Sequence, residues 1–235
     1  KLLCLITIQM NISAQVLLPL PLMVTIGPHS QALLPVWTTP RIQYGVLIPV
    51  YHQPETLIES MKEYCDQLEY QDGEVFGLKE NDEAFVRLDT RRSKVAWINW
   101  DEWIPGIMHS MMISANECYF KYDLRHFKDK IQSTVYNGGG EHKDFYGWHV
   151  DGGRTHIIEG VEMERKLSIS LLLSDPDEYD GGELEFRYYG DNYSFVKPDA
   201  GTGVIFPSWL PHRVHPVKSG VRRSLVAWMD GPCFK

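Results

Sequence analysis

From about Ile131 onward, short apolar or aromatic runs alternate with clusters of Gly, Asp, Asn and Pro, the pattern of strands joined by tight turns. Lys166 to Ser174, rich in Ile, Leu and Ser, reads as a central strand, and Asp180, Gly181 and Gly182 turn the chain into Glu183 to Tyr188. Tyr193 to Val196, Gly203 to Phe206, Pro211 to Val217 and Arg223 to Trp228 follow. About eight such strands suit a jelly roll. Upstream the period changes. Leu57, Ile58, Met61, Tyr64, Cys65 and Leu68 recur at helical spacing, with Pro54 and Glu55 suited to a first turn, so a helix is predicted over 54–68. A second is predicted from Trp103 to about Tyr119, starting near Pro105 and Gly106 and carrying a wide apolar face from Ile104 to Ala115. The expected class is mainly β with bracing helices (α+β), around a double-stranded β-helix of the cupin-like kind.

Two His-x-Asp pairs lie close together in this β region. The chain has nine histidines, so chance alone supplies about 0.5 such pairs at an ordinary Asp content of roughly 5%. His142 and Asp144 sit among Gly, Glu and Lys, which reads as a solvated loop. His149 and Asp151 follow Phe145, Tyr146 and Trp148, which favour a strand. Residues i and i+2 of a strand share a face, so His149 and Asp151 point to one place, with Val150 away and Gly152–Gly153 ending the strand. About sixty residues later come His212 and His215, of opposite parity, only one of which can face inward with Val214. Two histidines and one carboxylate on neighbouring strands can hold one face of an iron(II) ion and leave the other face open.

These residues resemble the iron(II)/2-oxoglutarate dioxygenases, specifically their prolyl 4-hydroxylase-like branch. There the pattern is His-x-Asp, a distal His, and about ten residues later a Lys or Arg for the far carboxylate of 2-oxoglutarate. His149, Asp151, His212 and Arg222 match in order and spacing, whereas His215 leaves only seven residues to Arg222. The resemblance implies His149, Asp151 and His212 as catalytic metal ligands, with Arg222, Tyr136 and Ser224 binding the co-substrate. It also implies Fe(II), 2-oxoglutarate and O2 as the chemical partners, with ascorbate as an accessory reductant. The reaction implied is hydroxylation of a C–H bond coupled to decarboxylation of 2-oxoglutarate to succinate, with a peptidyl prolyl residue among the implied substrates and a small molecule or free amino acid equally compatible. The matching region runs from about 85 to 230, is loose over 46–84 and absent over 1–45. Asp151 departs from the related iron halogenases, which lack that ligand.

Arg222 suits a buried carboxylate because its planar guanidinium makes two parallel charge-assisted bonds and stays charged. On a strand it shares its face with Ser224, and Arg223 faces the other way. Trp148 and Trp228 flank the histidine and arginine segments and are expected to exclude water. Arg91 to Trp100 reads as an edge strand with solvated charges, with the lining of a substrate groove as its alternative, and Gly152 to Glu164 as either a connector or a lid.

A formal charge of −8 argues against nucleic acid or an anionic membrane as partner, and no apolar stretch approaches the ~20 residues of a membrane helix. Four widely spaced cysteines, none in a Cys-x-x-Cys pair, do not suggest a zinc knuckle or a disulfide framework. The expected organisation is an N-terminal extension over 1–45 and one domain over 46–235, with a cytoplasmic location by default. Two other classes compete with the oxygenase: a cupin-like metalloprotein that does not use 2-oxoglutarate, and a non-catalytic jelly-roll binding protein.

Overall fold

The computed structural model describes residues 36–43, 46–76, 84–188, 191–195 and 198–234. In chain order its elements are β1 (Val36–Gln43), β2 (Val46–His52), α1 (Glu55–Cys65), β3 (Gln71–Asp72), β4 (Glu74–Phe76), β5 (Ala84–Val86), β6 (Arg91–Arg92), β7 (Lys94–Ile98) and α2 (Trp103–Ala115). Then follow β8 (Ile131–Asn137), β9 (Phe145–His149), β10 (Thr155–Ile158), β11 (Val161–Leu172), β12 (Tyr179–Gly181), β13 (Leu184–Tyr188), β14 (Asp191–Phe195), β15 (Thr202–Pro207), β16 (His212–Val214) and β17 (Val217–Pro232). A major antiparallel sheet runs β1-β2-β15-β11-β17-β8-β7-β3, and a minor one runs β14-β13-β16-β9-β6. The mainly β architecture agrees with the expected double-stranded β-helix. The 36–43 segment, inside the stretch expected as an extension, pairs with β2, and β2 pairs with β15.

The composition of the central strands follows from their two faces. In β11, Leu167, Ile169 and Leu171 enter the core shared with Ile58, Met61, Met108, Met111 and Met112 of the helices. The intervening Ser168 and Ser170 point the other way, into the barrel. β17 repeats the pattern: Leu225, Ala227 and Met229 join the helical core, while Arg222, Ser224, Val226, Trp228 and Asp230 line a cavity. One face of the major sheet is therefore apolar and braced by helices, and the other mixes polar groups with a second apolar cluster shared with the minor sheet. Each fully buried Leu, Ile or Met contributes about 1.5–3 kcal/mol, so the helical face anchors the fold and the inner face is released for chemistry.

The helices end earlier than their apolar periods suggest. α1 stops at Cys65 and continues only as a turn. α2 stops at Ala115 and widens into a π turn over Asn116–Phe120. The Asn116 side chain donates to the Tyr122 carbonyl and accepts from the Tyr122 amide, and Lys121 adopts a left-handed conformation (φ 58°), which closes the helix. Among the described residues no helix is long and apolar enough to cross a membrane.

Candidate metal centre and co-substrate cavity

The minor sheet brings the sequence-distant histidines together by register. His212 of β16 lies directly opposite His149 of β9, and Phe186 of β13 lies opposite His212. Asp151 is not on the strand, as alternation suggested, because β9 ends at His149. The backbone amides of Asp151 and Gly152 both donate to the Ser208 carbonyl, at 2.9 and 2.8 Å, and that clamp sets the carboxylate beside the rings. One donor atom from each of His149, Asp151 and His212 lies within 4.8 Å of the others. The Nε2 atoms of His149 and His212 stand 3.6 and 3.5 Å from the two Asp151 oxygens.

The surroundings of the three side chains fit a metal ion. His149 Nδ1 faces the Gly147 carbonyl at 2.8 Å, and His212 Nδ1 faces the Leu210 carbonyl at 2.9 Å. A carbonyl only accepts, so each Nδ1 carries the proton and each Nε2 presents its lone pair toward the shared point. Ser168 donates to Asp151 Oδ2 at 2.7 Å and is itself 2.9 Å from the Ser208 hydroxyl, which fixes the carboxylate. Burial, aided by His212, pushes the His149 imidazole down to about 3, so it stays neutral. Burial alone would raise the Asp151 carboxyl, but His212, His149, Arg165 and the Ser168 hydrogen bond outweigh it and hold it at about 2. Two imidazoles and a carboxylate are the donor set of a facial iron(II) site.

His215 is the other distal candidate, and it lies elsewhere. Its Nε2 sits 2.8 Å from Glu185, which also binds Arg213. His142 is exposed, while Asp144 is buried and its carboxylate accepts the Asn137 amide at 2.8 Å.

A cavity of about 570 Å³ opens from these residues. Arg222, 4% exposed, enters it from β17 with Tyr136 of β8 directly opposite in register and 5.6 Å from guanidinium carbon to ring centre. Its Nη1 donates to the Ser224 hydroxyl at 3.2 Å. Gly182 (φ +67°) makes room for it, since a β-carbon there would lie 2.8 Å from Arg222 Cδ. The structure thus brings Arg222, Ser224 and Tyr136 to one wall of the cavity that holds the histidines and Asp151. Burial pushes the Tyr136 phenol up, so it remains a donor.

Six of the seven buried side-chain polar atoms without a hydrogen-bond partner among the described residues belong to residues lining this cavity: Arg91 Nη2, His156 Nε2, Arg222 Nε, Trp228 Nε1 and both Asp230 oxygens. Buried polar atoms are normally paired, because an unmade bond costs about 1–3 kcal/mol. Their concentration in one place leaves these donors and acceptors available to whatever fills the cavity, water included.

Several cavity residues escaped the alternation rule. Tyr146, three residues before His149, would face away on a regular strand. A bulge in the pairing, where His212–Val214 oppose His149–Tyr146, turns both inward, and the Tyr146 ring stacks on His149 at 3.6 Å. Trp148, the neighbour of inward-facing His149, lies on the outer side by ordinary alternation, against Arg187 and Arg213 at 4.1 and 4.7 Å, so it does not shield the metal residues as expected. Arg91 is 5% exposed, lies over Tyr146 and lines the cavity, so its segment is not an edge of solvated charges. The 152–164 connector forms the β10–β11 hairpin and lends Arg154 and His156 to the cavity.

The chain is similar to several known proteins. The sequence pattern of the 2OG-Fe(II) oxygenase superfamily matches residues 131–230. PKHD-type hydroxylase YbiX of Escherichia coli O6:K15:H31 is 31% identical over 193 residues, covering 77% of this chain and 78% of the relative. A PKHD-type hydroxylase of Stenotrophomonas maltophilia (strain R551-3) is 40% identical over 96 residues, and there the chain spans 40% of the relative's length. A Pseudomonas putida prolyl-4-hydroxylase has a similar fold, with a TM-score of 0.52 at 22% identity, covering 76% of this chain and 88% of that one.

Proposed function

Since the chain belongs to the 2OG-Fe(II) oxygenase superfamily, we propose that it is a 2-oxoglutarate-dependent hydroxylase in which His149, Asp151 and His212 hold Fe(II) and Arg222, Tyr136 and Ser224 bind 2-oxoglutarate. The observation that carries this reading is the convergence of three correctly polarised donor atoms within 4.8 Å, in a cavity that also holds a buried arginine. When bound, Fe(II) supplies the centre at which O2 is consumed, 2-oxoglutarate is oxidised to succinate and CO2, and a substrate C–H bond is hydroxylated.

The chain's own residues prepare that chemistry. Gly147 and Leu210 carbonyls fix the imidazole tautomers, and Ser168 and the Ser208 carbonyl orient Asp151, so ligand geometry precedes metal binding. Arg222 makes no ion pair among the described residues, and an unpaired buried guanidinium is costly until a carboxylate meets it. The Tyr136 hydroxyl and Ser224 add neutral donors on the same wall, which orients the co-substrate. Phe206 packs edge-on against His212 and Phe186 edge-on against Phe206, which excludes water from that side.

A peptidyl prolyl residue is the substrate class we favour, on the strength of the Pseudomonas putida neighbour's name. Ascorbate as an accessory reductant belongs to the same proposal. The test is anaerobic titration with Fe(II) and 2-oxoglutarate, following the weak visible metal-to-ligand charge-transfer band. The band is expected in the wild-type protein and lost at the same co-substrate concentration in Arg222→Ala. Iron binding without any band would instead point to a metalloprotein that does not use 2-oxoglutarate.

A further inference from the structure

The inward face of β17 is a ruler of charge. Arg222, Ser224, Val226, Trp228 and Asp230 all line the cavity, and eight residues of strand separate its ends by about 26 Å at the usual rise. Arg222 marks the end that suits the dianionic co-substrate. Asp230 marks the other end, and it has no role in the proposed metal or co-substrate sites.

Asp230 is 1% exposed, and among the described residues neither carboxylate oxygen has a hydrogen-bond partner. Its backbone is fully engaged, the amide donating to the His126 carbonyl and the carbonyl accepting from Arg125, so the side chain is what remains unexplained. The charged groups around it are His156 of β10, Arg165 of β11, and Asp129 and Lys128 of the segment before β8. Arg165 is committed: it donates to Asp129 at 2.7 and 3.1 Å and lies flat over the Trp228 ring at 4.0 Å. Lys128 is exposed. His156 Nε2 stands 3.3 Å from Oδ2, close but not aligned as a hydrogen bond. Two carboxylates therefore share this end with one occupied guanidinium, and the carboxylate left over needs N–H donors. The neighbouring Trp228 Nε1–H likewise has no hydrogen-bond partner among the described residues.

We propose that Asp230 is a specificity-determining residue that accepts an N–H group of the primary substrate, from an ammonium or an amide, at the end of the cavity opposite Arg222. The inference rests on the oxygenase reading above and adds the substrate's recognition chemistry to it. His156 of the β10–β11 hairpin and Asp230 both line the cavity, so a donor that enters it reaches Asp230 beside the His156 ring.

The test uses the full chain loaded with Mn(II) and 2-oxoglutarate, with methylammonium, N-methylacetamide, tetramethylammonium and acetate as probes. Paramagnetic relaxation of probe protons reads proximity to the metal. Failure of Mn(II) or 2-oxoglutarate to bind, seen before any probe is added, would sink the oxygenase reading and this proposal with it. With both bound, methylammonium or N-methylacetamide should be enhanced above acetate and tetramethylammonium, and whichever responds identifies ammonium or amide. Asp230→Asn should weaken that response at least tenfold with 2-oxoglutarate affinity unchanged. His156→Ala, which keeps the carboxylate, should preserve or strengthen it, and decides the matter if Asp230→Asn does not fold. Equal responses from all four probes, an unaffected Asp230→Asn, or loss of the response in His156→Ala would each overturn the proposal.

Discussion

His142–Asp144 and His149–Asp151 are the same two-residue pattern seven positions apart, and they end in different roles. His142 is exposed, and Asp144 is spent on the backbone, accepting the Asn137 amide and tying the turn between β8 and β9. His149 lies on β9 opposite His212, and Asp151 is clamped by Ser208 on the far side of the barrel. The difference is not in the residues but in what stands across from them. A carboxylate whose lone pairs are consumed by main-chain amides is structural. One held by a serine hydroxyl and pointed at two imidazole lone pairs is a ligand.

The sharpest way to break the comparison is to remove each carboxylate in turn. Asp151→Ala should lose metal binding by at least about 100-fold, beyond the 10–100-fold typical of outer-shell partners. Asp144→Ala should keep the metal and lose about 1–3 kcal/mol of stability, the cost of leaving a buried amide unpaired. Metal content after gel filtration, together with denaturant unfolding, reads both. Equal metal loss in the two variants would erase the distinction.

The next largest effect tests the wall that completes the ligand pair. Arg222→Ala should weaken 2-oxoglutarate binding by about 10–100-fold, as expected for charge-assisted hydrogen bonds of about 1.5–3 kcal/mol, with Mn(II) affinity unchanged. Calorimetric titration of the Mn(II)-loaded protein measures it. An unaltered co-substrate affinity would remove Arg222 from the site.

Acidification sharpens the comparison further. His149 is buried neutral with its pKa down to about 3, below the unfolded value near 6.5, so the unfolded chain binds the extra proton between these limits. Stability of the metal-free protein should therefore fall as pH drops below about 6.5, by about 2 kcal/mol at pH 5 from this group alone. Asp151, held at about 2, contributes in the same direction: its stabilisation is present above the unfolded value near 3.9 and is lost as pH falls toward 2. His149→Gln should flatten the upper part of that profile in chemical denaturation, and an unchanged slope would argue against a buried neutral ring.

The smallest effects belong to the histidines outside the triad. His215→Ala gives up the contact with Glu185, half-exposed on the histidine side, and should cost under about 1 kcal/mol. His142→Ala, at an exposed position, should stay within about 0.5 kcal/mol of wild type. Both should bind Mn(II) normally, and a metal-binding defect in His215→Ala would reopen the choice of distal ligand.

Much of the barrel was legible because strand chemistry is local. The Ile, Leu and Ser of the central strand separate by parity into a helical face and a cavity face, and Arg222 and Ser224 share an inward side as their spacing implies. Legibility failed where parity breaks. Tyr146 and His149 face one way because of a bulge, and Asp151 leaves the strand altogether. Arg91 is charged and next to another arginine, so by itself it looks solvated, and only the Tyr146 ring beneath it and the cavity beside it show otherwise. Asp230 shares the inward parity of Arg222, but its lack of a hydrogen-bond partner among the described residues shows only in the fold.

By itself the sequence determined the strand-rich class, the inward parity of Arg222 with Ser224, and a short list of metal donors that included His149, Asp151 and one of two later histidines. Tertiary structure alone decided which histidine stands across from His149, which of the two aspartates keeps its lone pairs free, and that the far end of β17 is acidic. The physical reason is that alternation is a property of one strand, whereas register and burial are properties of strand pairs and of the sheets that cover them.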